Sequence, residues 1–237
     1  MAARNFVLVH GGCRGGWCYA RVADKLRSKG HRAFAPTLTG LGERSHLAQC
    51  SVNLSTHIQD VLNVIHWERL ADVVLCGHSY GGMVVGAVAD RIPSRIASLV
   101  YLDAALPESG KSMLDLLRPD EQDSLWAQVL ERGGVKMLPS PPAAYSNVNP
   151  ADRGWMDEMC TPQPMDTLTE RVPLTGAYMR IPKLTYVRAT DWPGQHPQGS
   201  YLRAKADPRW RTFEVHCGHE VMVDAPDRLV EILLEVM

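Results

Sequence analysis

The sequence lacks a strong excess of either charge, and it lacks any long apolar run. Its 25 basic and 26 acidic side chains give a formal net charge of −1, so we expect neither nucleic acid nor an anionic membrane surface as a partner. No stretch approaches the ~18 uninterrupted apolar residues of a membrane-spanning helix. The first apolar run begins at Phe6 and leads directly into His-Gly-Gly, unlike a secretory signal, so the expected location is the cytoplasm.

Motifs for disulfides, metals and nucleotide cofactors are also lacking. The six cysteines contain no Cys-x-x-Cys pair, so we expect free thiols, and Cys217 with His219 is the nearest approach to a metal-ligand spacing. The glycines of "HGGCRGGW" do not fit Gly-x-Gly-x-x-Gly, and the second predicted strand ends in "FAPTL" with no acidic residue to bind a ribose. The sequence therefore predicts no metal and no cofactor.

What the chain does contain is an alternation of short β-branched runs with amphipathic helical patterns. This alternation fills residues 1–105 and 182–237 and predicts an α/β fold, a mostly parallel, doubly wound sheet that forms a single core domain. Residues 106–181 interrupt it with many prolines and short helical pieces but no clear strand. An insertion of this length predicts a small, mainly helical cap or lid.

The segment "VVLCGHSYGGMVV" contains a Gly-x-Ser-x-Gly motif centred on Ser79, between a predicted strand and a predicted helix. A serine in such a sharp turn adopts strained backbone angles, and the flanking glycines remove the side-chain clashes that would forbid the turn. The turn presents the serine Oγ at the N-terminus of the helix, where free N–H groups favour negative charge. Ser79 is therefore the predicted nucleophile.

A serine nucleophile requires a base and a carboxylate that orients the base, in the chain order serine, acid, histidine on this architecture. Of the nine histidines, His219 lies in the loop after the last predicted strand, at the carboxyl edge of the sheet where ligands bind. Two aspartates also follow strands at this edge. Asp191, directly after "KLTYVRAT", is the predicted orienting acid, and Asp103 is the alternative.

The glycine-rich turn "VHGG" at residues 9–12 ends the first predicted strand. Its backbone can approach a substrate closely because glycine has no side chain. The backbone N–H of Gly12 and that of Tyr80, the residue after the nucleophile, are the predicted oxyanion hole.

These motifs together resemble those of the α/β-hydrolases. "FVLVHGG", "GHSYGG", "TDWPGQ" and "GHEVMVDAPDRL" are similar to the methylesterase and hydroxynitrile-lyase-like branch, and nearest to bacterial carboxylesterases of the pyrethroid-hydrolase type. The resemblance covers nearly the whole chain and is weak in the cap. It implies the α/β-hydrolase fold and a triad of Ser79, Asp191 and His219.

Three positions depart from that branch. Its hydroxynitrile lyases typically carry threonine after the first motif histidine and lysine after the catalytic histidine, whereas this chain has Gly11 and Glu220. Without a cation to stabilise departing cyanide, hydrolysis is favoured. Many plant methylesterases have methionine at the Glu220 position and leucine at the Tyr80 position, so their substrate preferences do not transfer.

The sequence thus predicts a serine hydrolase that cleaves small, largely apolar carboxylic esters through an acyl-enzyme. A hydroxynitrile lyase-like activity and a non-hydrolytic small-molecule receptor on the same fold are the alternatives. Large apolar side chains of the cap suggest the apolar substrate. They are Trp126, Met137, Trp155, Met156, Met159 and Tyr178. The alternative role of any one of them is to hold the cap on the sheet. The sequence leaves open whether two copies pair through the cap as a homodimer.

Overall fold

A six-stranded sheet, in which every neighbouring pair of strands is parallel, forms the centre of the molecule. The computed structural model describes residues 3–49, 51–192 and 195–237. In chain order its strands are β1 (Asn5–Val9), β2 (Arg32–Phe34), β3 (Val73–His78), β4 (Ile96–Leu102), β5 (Leu130–Arg132), β6 (Val135–Leu138), β7 (Gln163–Pro164), β8 (Lys183–Ala189) and β9 (Trp210–Val215). The large sheet has the order β2-β1-β3-β4-β8-β9, which confirms the predicted parallel α/β architecture.

Helices cover both faces of this sheet. In chain order they are α1 (Ala20–Ser28), α2 (Leu54–Trp67), α3 (Gly81–Arg91), α4 (Pro119–Trp126), α5 (Pro150–Met159), α6 (Asp166–Thr169), α7 (Gln195–Ala206), α8 (Val221–Asp224) and α9 (Pro226–Glu235). Successive side chains of β1 point to opposite faces. Phe6 belongs to one apolar cluster with Leu26 of α1 and Leu229 of α9, whereas Val7 belongs to another with Val84 of α3. Among the described residues, no helix is both long enough and apolar enough to span a membrane.

The register of the central strands brings three loops together. The pairing of β3 with β1 extends to Gly77, and its pairing with β4 extends to His78. Because these strands are parallel, the residues that follow them emerge at the same edge of the sheet. The turn after β1, Ser79 after β3 and Asp103 after β4 therefore lie close to one another.

Residues 106–181 connect β4 to β8 and contain a second, smaller sheet. Besides α4, α5 and α6, they form the antiparallel sheet β5-β6-β7, so the prediction of a mainly helical cap was incomplete. All residues of β5 are exposed and β7 has two residues, so neither strand carries an alternating apolar pattern. The local signal was Gly133-Gly134, whose φ angles of 57° and 79° close the β5–β6 hairpin.

Candidate active site

Ser79 lies in the strained turn that the sequence predicts. Its φ is +52°, in the left-handed region that side chains rarely adopt. A Cβ on Gly77 would come within 2.6 Å of the Gly81 carbonyl oxygen, and a Cβ on Gly81 would come within 2.6 Å of the His10 carbonyl oxygen. Both glycines of the motif are therefore needed for the backbone to turn this tightly from β3 into α3.

His219 lies in the loop between β9 and α8, and its ring contacts a carboxylate. Its Nδ1 is 2.7 Å from Oδ2 of Asp103, which follows β4 directly and is fully buried. The other Asp103 oxygen accepts hydrogen bonds from the Arg188 guanidinium and, at 3.2 Å, from the Ala189 backbone N–H. Burial raises the pKa of the Asp103 carboxyl, but the hydrogen bond from His219 and the charge of Arg188 hold it below its ordinary value.

The ionised Asp103 carboxylate fixes the tautomer of His219. A carboxylate without a proton can only accept, so His219 donates from Nδ1. The neutral ring then presents Nε2 as a hydrogen-bond acceptor and a base.

The prediction that Asp191 orients His219 is corrected by this geometry. The Asp191 side chain is about half exposed, at 49%, and accepts a 3.0 Å hydrogen bond from the Thr190 hydroxyl. The sheet order gives the reason: β4 lies next to β3, whereas β8 lies one strand further away, so Asp103 emerges nearer to Ser79. The carboxylate that contacts His219 therefore precedes the cap in the chain instead of following it.

Three further contacts hold His219 in place. The Trp192 ring lies against the imidazole, with ring centroids 4.0 Å apart and an interplanar angle of 33°, and its indole N–H donates to the Tyr145 carbonyl. The His219 backbone N–H donates to the Ser146 carbonyl at 2.9 Å. His78 Nε2 lies 3.0 Å from the His219 carbonyl oxygen, so that nitrogen carries the proton and donates.

The predicted oxyanion residues lie beside Ser79. A Cβ on Gly11 would come within 3.0 Å of Ser79 Cβ, and a Cβ on Gly12 would come within 2.7 Å of Gln163 Oε1. Gly12 and Tyr80 both line the cavity that contains Ser79 and His219. The Tyr80 hydroxyl is 2.9 Å from His57 Nδ1, and the whole side chain is buried.

The cavity at Ser79 has a volume of about 170 Å³ and a largely apolar lining. Six leucine and methionine side chains of the cap region contribute to that lining. They are Met113, Leu114, Leu117, Leu125, Leu138 and Leu168. None of the six cap side chains singled out in the sequence lines this cavity within the described part of the chain. The apolar lining was predicted, whereas the sequence left open which cap residues provide it.

A buried ion pair, absent from the sequence predictions, lies in the same cavity wall. Arg14 Nε donates to Glu220 Oε1 at 3.1 Å, and both side chains are almost completely buried. Burial raises the pKa of the Glu220 carboxyl, but Arg14 outweighs this effect and holds it below its ordinary value. Glu220 therefore does reach the site. Within the described ranges, no group of three or more His, Cys, Asp or Glu side chains could hold a metal ion.

Comparison with known proteins agrees with this architecture. A model of the alpha/beta hydrolase family matches residues 6–232. The chain is 43% identical to the carbendazim hydrolyzing esterase of Nocardioides sp. (strain SG-4G) over 97% of its own length and 98% of that protein.

Two solved structures show the same fold. An extracellular alpha/beta-hydrolase from a Paenibacillus species has a TM-score of 0.83 at 24% identity over 98% of each chain. The pyrethroid hydrolase PytH has a TM-score of 0.77 at 21% identity over 99% of this chain and 97% of that one. At these identities the two solved structures support the fold alone. The family match and the similarity to the esterase over nearly the whole chain also support the family and the type of enzyme. This chain belongs to the alpha/beta hydrolase family, and it is an enzyme of the carboxylic-ester hydrolase type.

Proposed function

We propose that Ser79, His219 and Asp103 are the catalytic triad of a serine carboxylesterase. The observation that carries this proposal is the 2.7 Å contact between His219 Nδ1 and the buried Asp103 carboxylate, in a cavity that Ser79 also lines. A nucleophile on a strained turn, a base and an orienting carboxylate are the three parts that activate a hydroxyl for acyl transfer.

In the acylation half of the reaction, His219 Nε2 takes the Ser79 proton while Ser79 Oγ attacks the ester carbonyl carbon. The backbone N–H groups of Gly12 and Tyr80 stabilise the oxyanion, and each such donor contributes roughly 3 kcal/mol. The carbon–oxygen bond to the alcohol then breaks, and the alcohol leaves with the proton from His219.

Deacylation repeats these steps with water. His219 Nε2 takes a proton from a water molecule whose oxygen attacks the acyl carbon. The bond to Ser79 Oγ breaks, Ser79 regains its proton from His219, and the carboxylic acid is released. Asp103 stays ionised throughout and stabilises the positively charged imidazolium.

The cavity favours small, largely apolar esters, because its lining is largely apolar and includes leucine and methionine side chains of the cap. For a hydroxynitrile lyase-like activity, the arginine that lines the cavity within the described chain is Arg14. Its charge is neutralised by Glu220, so the wall offers no net positive charge to stabilise departing cyanide. Hydrolysis is therefore favoured over the lyase alternative.

Turnover of p-nitrophenyl acetate and butyrate by wild-type enzyme and by Ser79→Ala tests this proposal. We expect kcat to fall by about 10⁴-fold or more in Ser79→Ala, and the acyl adduct seen by mass spectrometry of quenched wild-type enzyme to disappear. The exposed Ser124→Ala on α4 is the matched control and should keep wild-type kcat. Binding of esters without turnover would favour the receptor alternative, and cleavage of mandelonitrile in place of esters would favour the lyase.

A further inference from the structure

The second oxygen of Glu220 has no hydrogen-bond donor among the described residues. Oε1 takes both contacts with Arg14, at 3.1 Å each, whereas Oε2 is buried and unpartnered. Buried carboxylate oxygens normally have a donor, because removing them from water otherwise costs free energy. Glu220 also lines the cavity at Ser79, so a molecule bound there could supply that donor.

His78 presents a second acceptor at the same place. Its Nε2 donates to the His219 carbonyl, so a neutral ring has a bare Nδ1, and burial lowers the pKa of His78 to about 4. This Nδ1 is buried, has no partner within the described chain and lies 3.9 Å from Glu220 Oε2. Two acceptors that face each other cannot satisfy one another. Both require a donor from elsewhere.

The charge around these acceptors decides which donor fits. Arg14 already neutralises Glu220, and a protonated ligand would bring an additional positive charge next to a buried guanidinium. Arg14 also contacts the Ser140 hydroxyl at 2.9 Å and Cys160 Sγ at 3.1 Å, and these contacts keep its guanidinium fixed in the wall. The rest of the cavity is largely apolar, which also favours a neutral group.

We propose that Glu220 Oε2 and His78 Nδ1 form a polar subsite that binds a neutral N–H or O–H donor carried by the ester substrate. This inference rests on the proposed esterase function and narrows its substrate class, from apolar esters in general to apolar esters with one such donor. A site with unpaired buried acceptors discriminates strongly against an analogue that lacks the donor.

Matched aryl esters test the subsite. One series carries an amide N–H, a hydroxyl or a methylene at the same position of the acyl chain, and a second series carries these groups on the alcohol side. The measured quantity is the ratio of kcat/KM for a donor ester to that for its methylene analogue. For the wild-type enzyme we expect a ratio of about 10 or more in at least one series. This ratio does not depend on the concentration of active enzyme, so it is unaffected by partial misfolding.

Glu220→Gln should lower this ratio to below about 3, because Arg14 holds the carboxamide oxygen and the NH2 group, which can only donate, then takes the position of Oε2. Glu231→Gln, an exposed carboxylate on α9, is the matched control and should keep the wild-type ratio. The double variant Arg14→Gln/Glu220→Gln removes both buried charges together and serves if the single variant does not fold.

Each outcome decides the inference. Wild-type ratios near 1 in both series, with normal turnover of all esters, would overturn the subsite and leave the esterase proposal intact. An equal loss for donor and methylene esters in Glu220→Gln would assign Glu220 a purely structural role and also overturn it. An ester with an ammonium group at the same position is included in each series, and a preference for it over the neutral donors would contradict the neutral class. Failure to turn over any ester would instead overturn the proposed function.

Discussion

Two buried clusters next to Ser79 each combine a carboxylate, an arginine and a histidine. The Asp103 cluster consists of Asp103, Arg188 and His219, and the Glu220 cluster consists of Glu220, Arg14 and His78. In the first, both carboxylate oxygens have donors, whereas in the second one oxygen and one ring nitrogen have none among the described residues. A fully satisfied cluster holds a side chain in one orientation. A half-satisfied cluster retains the capacity to bind a ligand.

Replacement of His219, the proposed base in the Asp103 cluster, should reduce activity most. His219→Gln should lower kcat for p-nitrophenyl acetate by about 10⁴-fold, because the proposed mechanism has no second base that takes the Ser79 proton. His78→Gln, the equivalent change in the Glu220 cluster, should have a much smaller effect on this donor-free ester. Steady-state kinetics at saturating substrate measures both. A His219→Gln enzyme that keeps a tenth of the wild-type kcat would contradict the role of His219.

Single and double substitutions of the ion pairs should also affect the two clusters differently, first in the free energy of unfolding. Arg14→Met leaves the Glu220 charge buried and unpaired, so it should lower the free energy of unfolding by about 3 kcal/mol. Arg14→Met/Glu220→Met removes both charges and should be less destabilised than the single variant. Arg188→Met should lower the free energy of unfolding by a similar ~3 kcal/mol. In that variant a second substitution, at Asp103, should not restore activity, because His219 then loses the carboxylate that it contacts. Urea denaturation and kcat measure these effects. A double Met variant less stable than Arg14→Met would contradict this account of the ion pair.

Of the effects predicted for the two clusters, the smallest is the contribution of His78 to the pH dependence of stability. Burial lowers the pKa of His78 to about 4, below the ordinary histidine value of 6.5. Between these values the unfolded chain binds more protons than the folded one, so stability falls as the pH is lowered from about 6.5 toward 4. Each such group contributes at most about 1.4 kcal/mol per pH unit.

His78→Gln should therefore reduce this slope, measured as the unfolding free energy in urea at several pH values. The exposed His216→Gln should leave the slope as in the wild-type enzyme. An unchanged slope in His78→Gln would show that the folded protein already binds a proton at His78.

The parts of the site that could be predicted have local signals. The turn at Ser79 follows from two glycines between a strand and a helix, and the position of His219 follows from the loop after the last strand. The choice between Asp103 and Asp191 has no such signal. Both follow a strand, and only the adjacency of β3 and β4 in the sheet separates them.

Other features were missed for related reasons. Arg14 and Glu220 are 206 positions apart in the chain, so no local pattern connects them. The short cap strands have exposed residues and therefore lack an apolar alternation, although Gly133-Gly134 did mark their hairpin. The cytoplasmic location stays a prediction.

Replacement of Asp103 and of Asp191, compared in one assay, distinguishes the proposed triad from its alternative. Asp103→Asn keeps the shape of the side chain but removes the ionised acceptor that fixes the His219 tautomer, so kcat for p-nitrophenyl acetate should fall by about 10³- to 10⁴-fold. Asp191→Asn changes a half-exposed side chain and should leave kcat within about 3-fold of wild type. A large loss in Asp191→Asn with near-normal turnover by Asp103→Asn would contradict the triad of Ser79, His219 and Asp103.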